Sequence, residues 1–132
     1  MKKTQLIHSE LSHILAALGH TDMIVVCDSG LPIPRHLKRI DLALTRGVPG
    51  FLETVKVILS ELCVERAWIA SEMKEKSRPM YDQLTALLDR VPIQSLPHEE
   101  FKRLVEQKAV AVVRTGEYTP YANVILQSGV VF

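Results

Sequence analysis

Short apolar runs alternate along the chain with segments whose apolar positions recur at helical spacing. The run Met23–Cys27 is continuous and β-branched, which predicts a strand that is covered on both faces. Further strands are predicted at residues 40–44, 67–70, 93–96, 110–113, 124–126 and 130–132. Helical patterns lie between them: one from an N-cap at Ser9 to a left-handed Gly19, one over residues 52–62, one from Pro79 to Leu88, and one after Pro97.

This alternation of strands and helices favours an α/β fold with a mainly parallel sheet and helices on both faces. The chain has 132 residues, of which 47% are hydrophobic, and it contains no repeat or linker. Chains of this length can bury enough apolar surface to fold unaided. We therefore expect one compact domain over residues 1–132.

Charge and targeting signals narrow the range of partners. The formal net charge is only +1, from 16 basic and 15 acidic residues, so nucleic acid is not expected as a partner. Neither an apolar signal segment nor a membrane-spanning stretch is found, which predicts no membrane association and a cytoplasmic location. The cysteines, Cys27 and Cys63, are interpreted as small buried residues of a protein in a reducing compartment.

The candidate functional residues lie mostly where strands are predicted to end. Ligands of open α/β sheets usually bind beyond the carboxyl ends of the strands, which singles out Asp28 and the loop TGEYTPYAN with Tyr121 and Asn123. His20 follows the first helix, and its ordinary pKa suits proton transfer near neutrality. Each residue also has a plain structural explanation, as a loop cap, a turn former or a surface residue.

One further pair of candidates lies on the last helix. His98 and Lys102 are four residues apart and therefore share one face, although this face could simply be solvated.

The familiar cofactor and nucleophile motifs are missing. Five histidines are present, but they show no HExxH or paired Cys/His spacing, so no metal is expected. The glycines form neither GxGxxG nor a phosphate-binding loop, which argues against a nucleotide cofactor. A GxSxG nucleophile elbow is also absent.

Taken together, five blocks resemble the D-ribose pyranase and L-fucose mutarotase family over essentially the whole chain. The blocks are GHTD at residues 19–22, DSGLP at 28–32, GVP at 47–49, HEEFK at 98–102, and RTGE at 114–117 running on to PYAN at 120–123. The resemblance implies a Rossmann-like α/β fold, a homo-oligomeric ring with sugar sites close to subunit contacts, and no cofactor. The sequences GHTD at residues 19–22 and GLPIP at residues 30–34 resemble the ribose branch of the family, for which the implied assembly is a decamer of two pentameric rings.

The same resemblance implies an isomerase of ribose catabolism that interconverts the pyranose and furanose forms of D-ribose. His20 matches the family's catalytic proton donor. The residues that match its sugar contacts are Asp28, His98, Tyr121, Ala122 and Asn123, with Lys102 carried over beside them. Asp28 is expected to orient hydroxyl groups or to steady His20.

Three other readings stay open at this point. An L-fucose-type mutarotase would use the same groups on another free sugar. A sugar-binding accessory protein would bind ribose without speeding its ring exchange. A purely structural α/β subunit would bind no sugar.

Overall fold

The structure, a computed structural model, describes residues 1–132, and it contains one six-stranded sheet flanked by helices. The strands are β1 (Met23–Cys27), β2 (Lys38–Asp41), β3 (Val64–Ala70), β4 (Ile93–Leu96), β5 (Ala109–Arg114) and β6 (Val124–Ser128). The helices are α1 (Ser9–Ala17), α2 (Phe51–Leu59), α3 (Ser71–Lys76), α4 (Arg78–Leu88) and α5 (His98–Lys108). None of these helices has the length and apolar character needed to cross a bilayer.

The strand order is β2-β5-β1-β6-β3-β4. The pairs β1–β5, β2–β5 and β3–β4 are parallel, whereas β6 is antiparallel to both of its neighbours, β1 and β3. Five strands therefore point the same way, and the predicted mainly parallel α/β sheet is confirmed. β6 runs in reverse because the connection from β5 contains no crossover helix that would return the chain to the other edge.

The two faces of β1 pack against helices on opposite sides of the sheet. Ile24 and Val26 pack with apolar side chains of α1, α2 and α4. Val25 and Cys27 belong to the other face, together with Phe101 of α5. All five side chains are fully buried. The prediction of helices on both faces is confirmed, and it explains why the sequence of β1 is continuously apolar.

The predicted ends of α1 need correction. The N-cap is His8 and not Ser9, because Nδ1 of His8 accepts a hydrogen bond of 3.1 Å from the N3 amide. The left-handed residue is Thr21, with φ of 72°, and not Gly19. The Asp22 carboxylate accepts a hydrogen bond of 2.8 Å from the Gly19 amide, and this bond closes a turn over residues 19–22.

Two predicted strands also differ from the structure. The strand predicted at residues 40–44 lies at Lys38–Asp41, because the Asp41 carboxylate accepts a hydrogen bond of 3.1 Å from the Ala43 amide and turns the chain away. The strand predicted at residues 130–132 is wrong. After β6 the Gly129 amide donates to the Cys63 carbonyl at 2.8 Å, and Phe132 is fully exposed.

The cysteines lie in different surroundings. Cys27 is buried as predicted, and burial, followed by the neighbouring Asp28 carboxylate, raises the pKa of its thiol to about 12. The prediction that Cys63 is buried is wrong, because it lies in the exposed turn between α2 and β3.

Candidate active site

Asp28 and Asn123 meet at the carboxyl edge of the parallel strands. Asp28 follows β1, and Asn123 precedes the reversed strand β6, so the two residues lie side by side. Nδ2 of Asn123 donates to Oδ2 of Asp28, while Oδ1 of Asn123 accepts from the Asp28 amide, both at 2.9 Å. Asn123 is fully buried and Asp28 is partly exposed. The buried amide therefore holds the carboxylate in one orientation at the surface.

The Asp28 carboxylate also shapes the loop that follows it. Its Oδ1 accepts a hydrogen bond of 2.9 Å from the Gly30 amide. Further along, the Arg114 guanidinium donates to the Ser29 carbonyl at 3.1 Å and to both oxygens of Asp41 at 3.0–3.1 Å. The loop after β1 is thus tied to the ends of β2 and β5.

His98 is the first residue of α5, and its ring lies between two aromatic side chains. It stacks on Phe101 with centroids 6.2 Å apart and meets Tyr121 edge-on at 5.1 Å. Nδ1 of His98 is buried and has no hydrogen-bond partner within the chain. Buried polar atoms are nearly always paired, so this nitrogen is available to a group that enters the site.

The backbone of His98 is held by Glu72 of α3. Both carboxylate oxygens of Glu72 accept from the His98 amide, at 3.2 and 3.0 Å. Burial raises the pKa of Glu72, but hydrogen bonds from its own amide, the His98 amide and the Ser71 hydroxyl outweigh burial and leave this pKa below its ordinary value. The start of α5 has no side-chain cap of its own, so Glu72 supplies one from another helix.

Tyr121 and Ala122 form the turn that enters β6. Tyr121 has a left-handed backbone with φ of 63°, and its ring lies 5.4 Å from Nζ of Lys76. The turn is anchored by the Ser77 hydroxyl, which donates to the Pro120 carbonyl at 2.6 Å. Ala122 is fully buried in the core, so only its backbone could contact a ligand.

Lys102 lies one helical turn beyond His98. Its ammonium group pairs with the Glu99 carboxylate at 2.7 Å. Its side chain lines a groove of about 400 Å³ between α5 and the loop after β1, opposite Pro32 and Pro34. Lys102 thus lies near the loop that Asp28 begins, but the structure shows no direct bond between these two side chains.

The sequence interpretation missed the role of Glu117 in shaping this edge. Its Oε2 accepts a hydrogen bond of 3.2 Å from the Phe51 amide at the start of α2, and its Oε1 accepts one of 2.8 Å from the Thr119 hydroxyl. The pKa of Glu117 is raised by burial but lowered more by these and neighbouring hydrogen bonds. A signal did exist: α2 begins after Gly50, which has no side chain to cap it.

His20 lies at the amino ends of the parallel strands, opposite the carboxyl edge, and we call this side of the sheet the amino edge. It precedes β1, whereas Asp28 follows it, and the five residues of β1 span about 13 Å at roughly 3.3 Å per residue. Nε2 of His20 lies 2.9 Å from Oε2 of Glu65, near the start of β3. The expectation that Asp28 steadies His20 is therefore wrong within one chain.

The groups at the carboxyl edge are a carboxylate, an amide, a phenol and an imidazole. Such groups orient hydroxyls by hydrogen bonding, and an imidazole can also carry a proton. No three His, Cys, Asp or Glu side chains are arranged to hold a metal ion. The edge thus offers a surface that fits a small polyhydroxylated molecule.

The fold and site together define a small α/β protein that presents hydroxyl-binding groups at the carboxyl edge of its sheet. The chain belongs to the RbsD / FucU transport protein family, whose family profile matches residues 1–131. It is 61% identical over 132 residues to the D-ribose pyranase of Coprothermobacter proteolyticus, with both chains fully covered.

Two solved structures share the fold. Bacillus subtilis RbsD complexed with D-ribose superposes with a TM-score of 0.96 at 48% identity, and all of both chains is covered. FucU from Bifidobacterium longum gives a TM-score of 0.82 at 28% identity, over 96% of this chain and 97% of that one.

Proposed function

We propose that this protein is an isomerase that interconverts the pyranose and furanose forms of D-ribose. The observation that carries the proposal is the full-length identity of 61% to a D-ribose pyranase. The TM-score of 0.96 to a ribose-bound RbsD supports the same substrate. The identity to the FucU structure is only 28%, which ranks an L-fucose-type activity second.

In this proposal the carboxyl edge binds the sugar. The Asp28 carboxylate, held by the buried amide of Asn123, accepts hydrogen bonds from sugar hydroxyls. Nδ1 of His98 has no partner in the chain and receives one further hydroxyl. Tyr121 covers the sugar with its ring, the Ala122 backbone offers a carbonyl, and Lys102 binds at the far side of the loop.

His20 enters this site from a second copy of the chain. The two half-sites lie at opposite edges of one sheet, about 13 Å apart along β1 at roughly 3.3 Å per residue, so they cannot meet within one chain. Head-to-tail contact between copies brings the amino edge of one chain onto the carboxyl edge of the next. Repetition of such a contact generates a closed ring when the rotation closes, consistent with a decamer of two pentameric rings.

Both edges carry exposed apolar side chains that such a contact would cover. Val131 and Phe132, which follow β6 at the amino edge, are 88% and 101% exposed. Leu44 and Tyr118, in loops at the carboxyl edge, are 81% and 59% exposed. Exposed apolar groups clustered at two complementary edges are typical of subunit contacts.

In the proposed reaction, proton transfers accompany the breaking of one carbon–oxygen bond of the sugar ring and the formation of another. Protonated His20 donates to the ring oxygen as the bond between this oxygen and the anomeric carbon breaks. The anomeric hydroxyl gives its proton to water, and the free aldehyde results. A different hydroxyl then adds to the carbonyl carbon, and the protons return. No atom is gained or lost, and a positioned acid/base group contributes roughly 10²–10⁴-fold to such a step.

Magnetisation-transfer NMR on equilibrated D-ribose tests the proposal directly. The protein should speed pyranose–furanose exchange in the presence of a chelator, and D-ribose should respond more than L-fucose. His20→Ala should lose most of the catalysed exchange. If folded protein exchanges ribose no faster than buffer, the proposed activity is wrong.

Cell location is proposed from the cysteines. Both are free thiols, and the exposed Cys63 would be prone to oxidation in an oxidising compartment. We therefore propose a cytoplasmic location, where the protein would supply ring forms for ribose catabolism.

A further inference from the structure

The turn that carries His20 is fixed to the end of β6. The Thr21 amide donates to the Ser128 carbonyl at 2.9 Å, and the Ser128 amide donates back to the Asp22 carbonyl at 2.8 Å. The backbone directly after His20 is therefore held by two hydrogen bonds to Ser128. Its ring remains half exposed and makes one polar contact, with Glu65.

The Glu65 carboxylate uses both of its oxygens. Oε2 lies 2.9 Å from Nε2 of His20, and Oε1 accepts a hydrogen bond of 2.9 Å from Nε2 of Gln127. A carboxylate bonded at both oxygens has a defined orientation, so Gln127 restricts where Glu65 can hold the imidazole.

The local backbone aims Glu65 at this position. Val64 pairs with Ser128 and Arg66 pairs with Gln127, so Glu65 is the extra residue of a β-bulge between β3 and β6. A bulge re-aims a side chain, and bulges are common beside active sites. Gly129 packs closely here, because a Cβ added to it would lie 3.1 Å from the Cβ of Glu65.

We infer that Glu65 is a positioning residue for His20, and that it makes Nδ1 the nitrogen that exchanges a proton with the sugar. This inference rests on the proposed function. A carboxylate can only accept a hydrogen bond, so Nε2 must carry its hydrogen toward Glu65. The second, exchangeable proton then resides on Nδ1. Gln127 acts one step further out, by orienting the carboxylate.

The test uses the full-length assembled protein and the variant Glu65→Gln, which keeps the size of the side chain. An amide can donate to Nε2 as well as accept from it, so the His20 tautomer should become mixed in long-range ¹H–¹⁵N NMR spectra. The kcat for ribose exchange should fall about tenfold to a hundredfold, part of what a positioned acid contributes, while KM changes less than about twofold. Glu65→Asp should keep the tautomer and restore part of the rate.

Glu61→Gln is the matched control, because Glu61 is an exposed glutamate four residues earlier in the sequence whose carboxylate makes no hydrogen bond or ion pair. It should leave tautomer and rate unchanged. Gln127→Ala, which keeps Glu65 itself, should lower kcat by a smaller factor and covers the case in which Glu65→Gln fails to assemble. The inference is overturned if the rate and tautomer are unchanged in Glu65→Gln, or if Gln127→Ala has no effect when Glu65→Gln cannot assemble.

The two proposals fail in different ways. Loss of activity in His20→Ala with full activity in Glu65→Gln would refute the role of Glu65 alone. Full activity in His20→Ala would instead refute the assignment of His20, and the role of Glu65 would be refuted with it.

Discussion

Mixing two inactive variants should restore activity if each site is built from two chains. His20→Ala removes the proposed proton donor at the amino edge, and Asp28→Asn removes the proposed sugar-binding carboxylate at the carboxyl edge. We expect each variant alone to lose most of its activity. In a mixed ring, however, some contacts join an intact His20 of one chain to an intact Asp28 of the next.

The size of the recovery follows from the geometry. When the two chains are present in equal amounts, half of the contacts have an intact His20 on one side. Half of these also have an intact Asp28 on the other side, so about one quarter of the wild-type sites are restored. A site within one chain gives no recovery at all, because every chain then carries one defect.

The assay is ribose exchange by magnetisation transfer on variants that were co-expressed, or unfolded together and refolded. Sedimentation should show the same assembly for the mixture and for each variant, which excludes a trivial loss of rings. Separately folded variants, mixed without subunit exchange, are the negative control. If the co-assembled mixture shows no more than the residual rates of its components, the two-chain site is refuted.

Three further predictions concern the scaffold. Gly116→Ala should destabilise the protein by about 3 kcal/mol in urea unfolding, because the added Cβ would collide with the backbone carbonyl of Thr45. Gly30→Ala should be much milder, because its added Cβ would meet its nearest atom at 3.6 Å. The lowered pKa of Glu117 means that its stabilising effect is complete above the ordinary glutamate pKa and is lost as the pH falls through the lowered value. Glu117→Gln should therefore be less stable than wild type at pH 7, and the difference should shrink in acid; a constant difference would contradict this. Iodoacetamide at pH 8 should label Cys63 and leave Cys27 unmodified in the folded protein, since burial raises the pKa of the Cys27 thiol to about 12; mass spectrometry that finds two labels would contradict this.

Much of the fold could be predicted, because segments that are buried in the structure are rich in apolar residues in the sequence. The apolar run of β1 is buried on both faces, and Phe101 and Val105 of α5 point to the sheet at helical spacing. The prediction of a strand at residues 130–132 is wrong for the same reason. Val131 and Phe132 have the composition of a buried strand, but no neighbouring strand in this chain pairs with them.

The site could be predicted only in part. The rule that ligands bind beyond the carboxyl ends of strands pointed to Asp28 and Asn123, because strand ends are visible in the hydrophobic pattern, and the structure places these two residues together at that edge. The partner of His20 was not visible, because Glu65 reaches it through a bulge whose existence depends on the pairing of β3 with β6. Glu72 was missed likewise, since it caps a helix that begins 26 residues later.

If the proposed site is shared between two copies, the separation of His20 from Asp28 links catalysis to assembly. An isolated chain keeps the bonded pair of Asp28 and Asn123 and can still hold sugar hydroxyls, but its own His20 lies at the far edge of the sheet. Dilution of the protein should therefore affect sugar affinity and the rate of ring exchange differently. Below the concentration at which the proposed rings dissociate, exchange per chain should fall steeply while weak ribose binding persists, because in this proposal only the contact between copies brings an acid to the sugar.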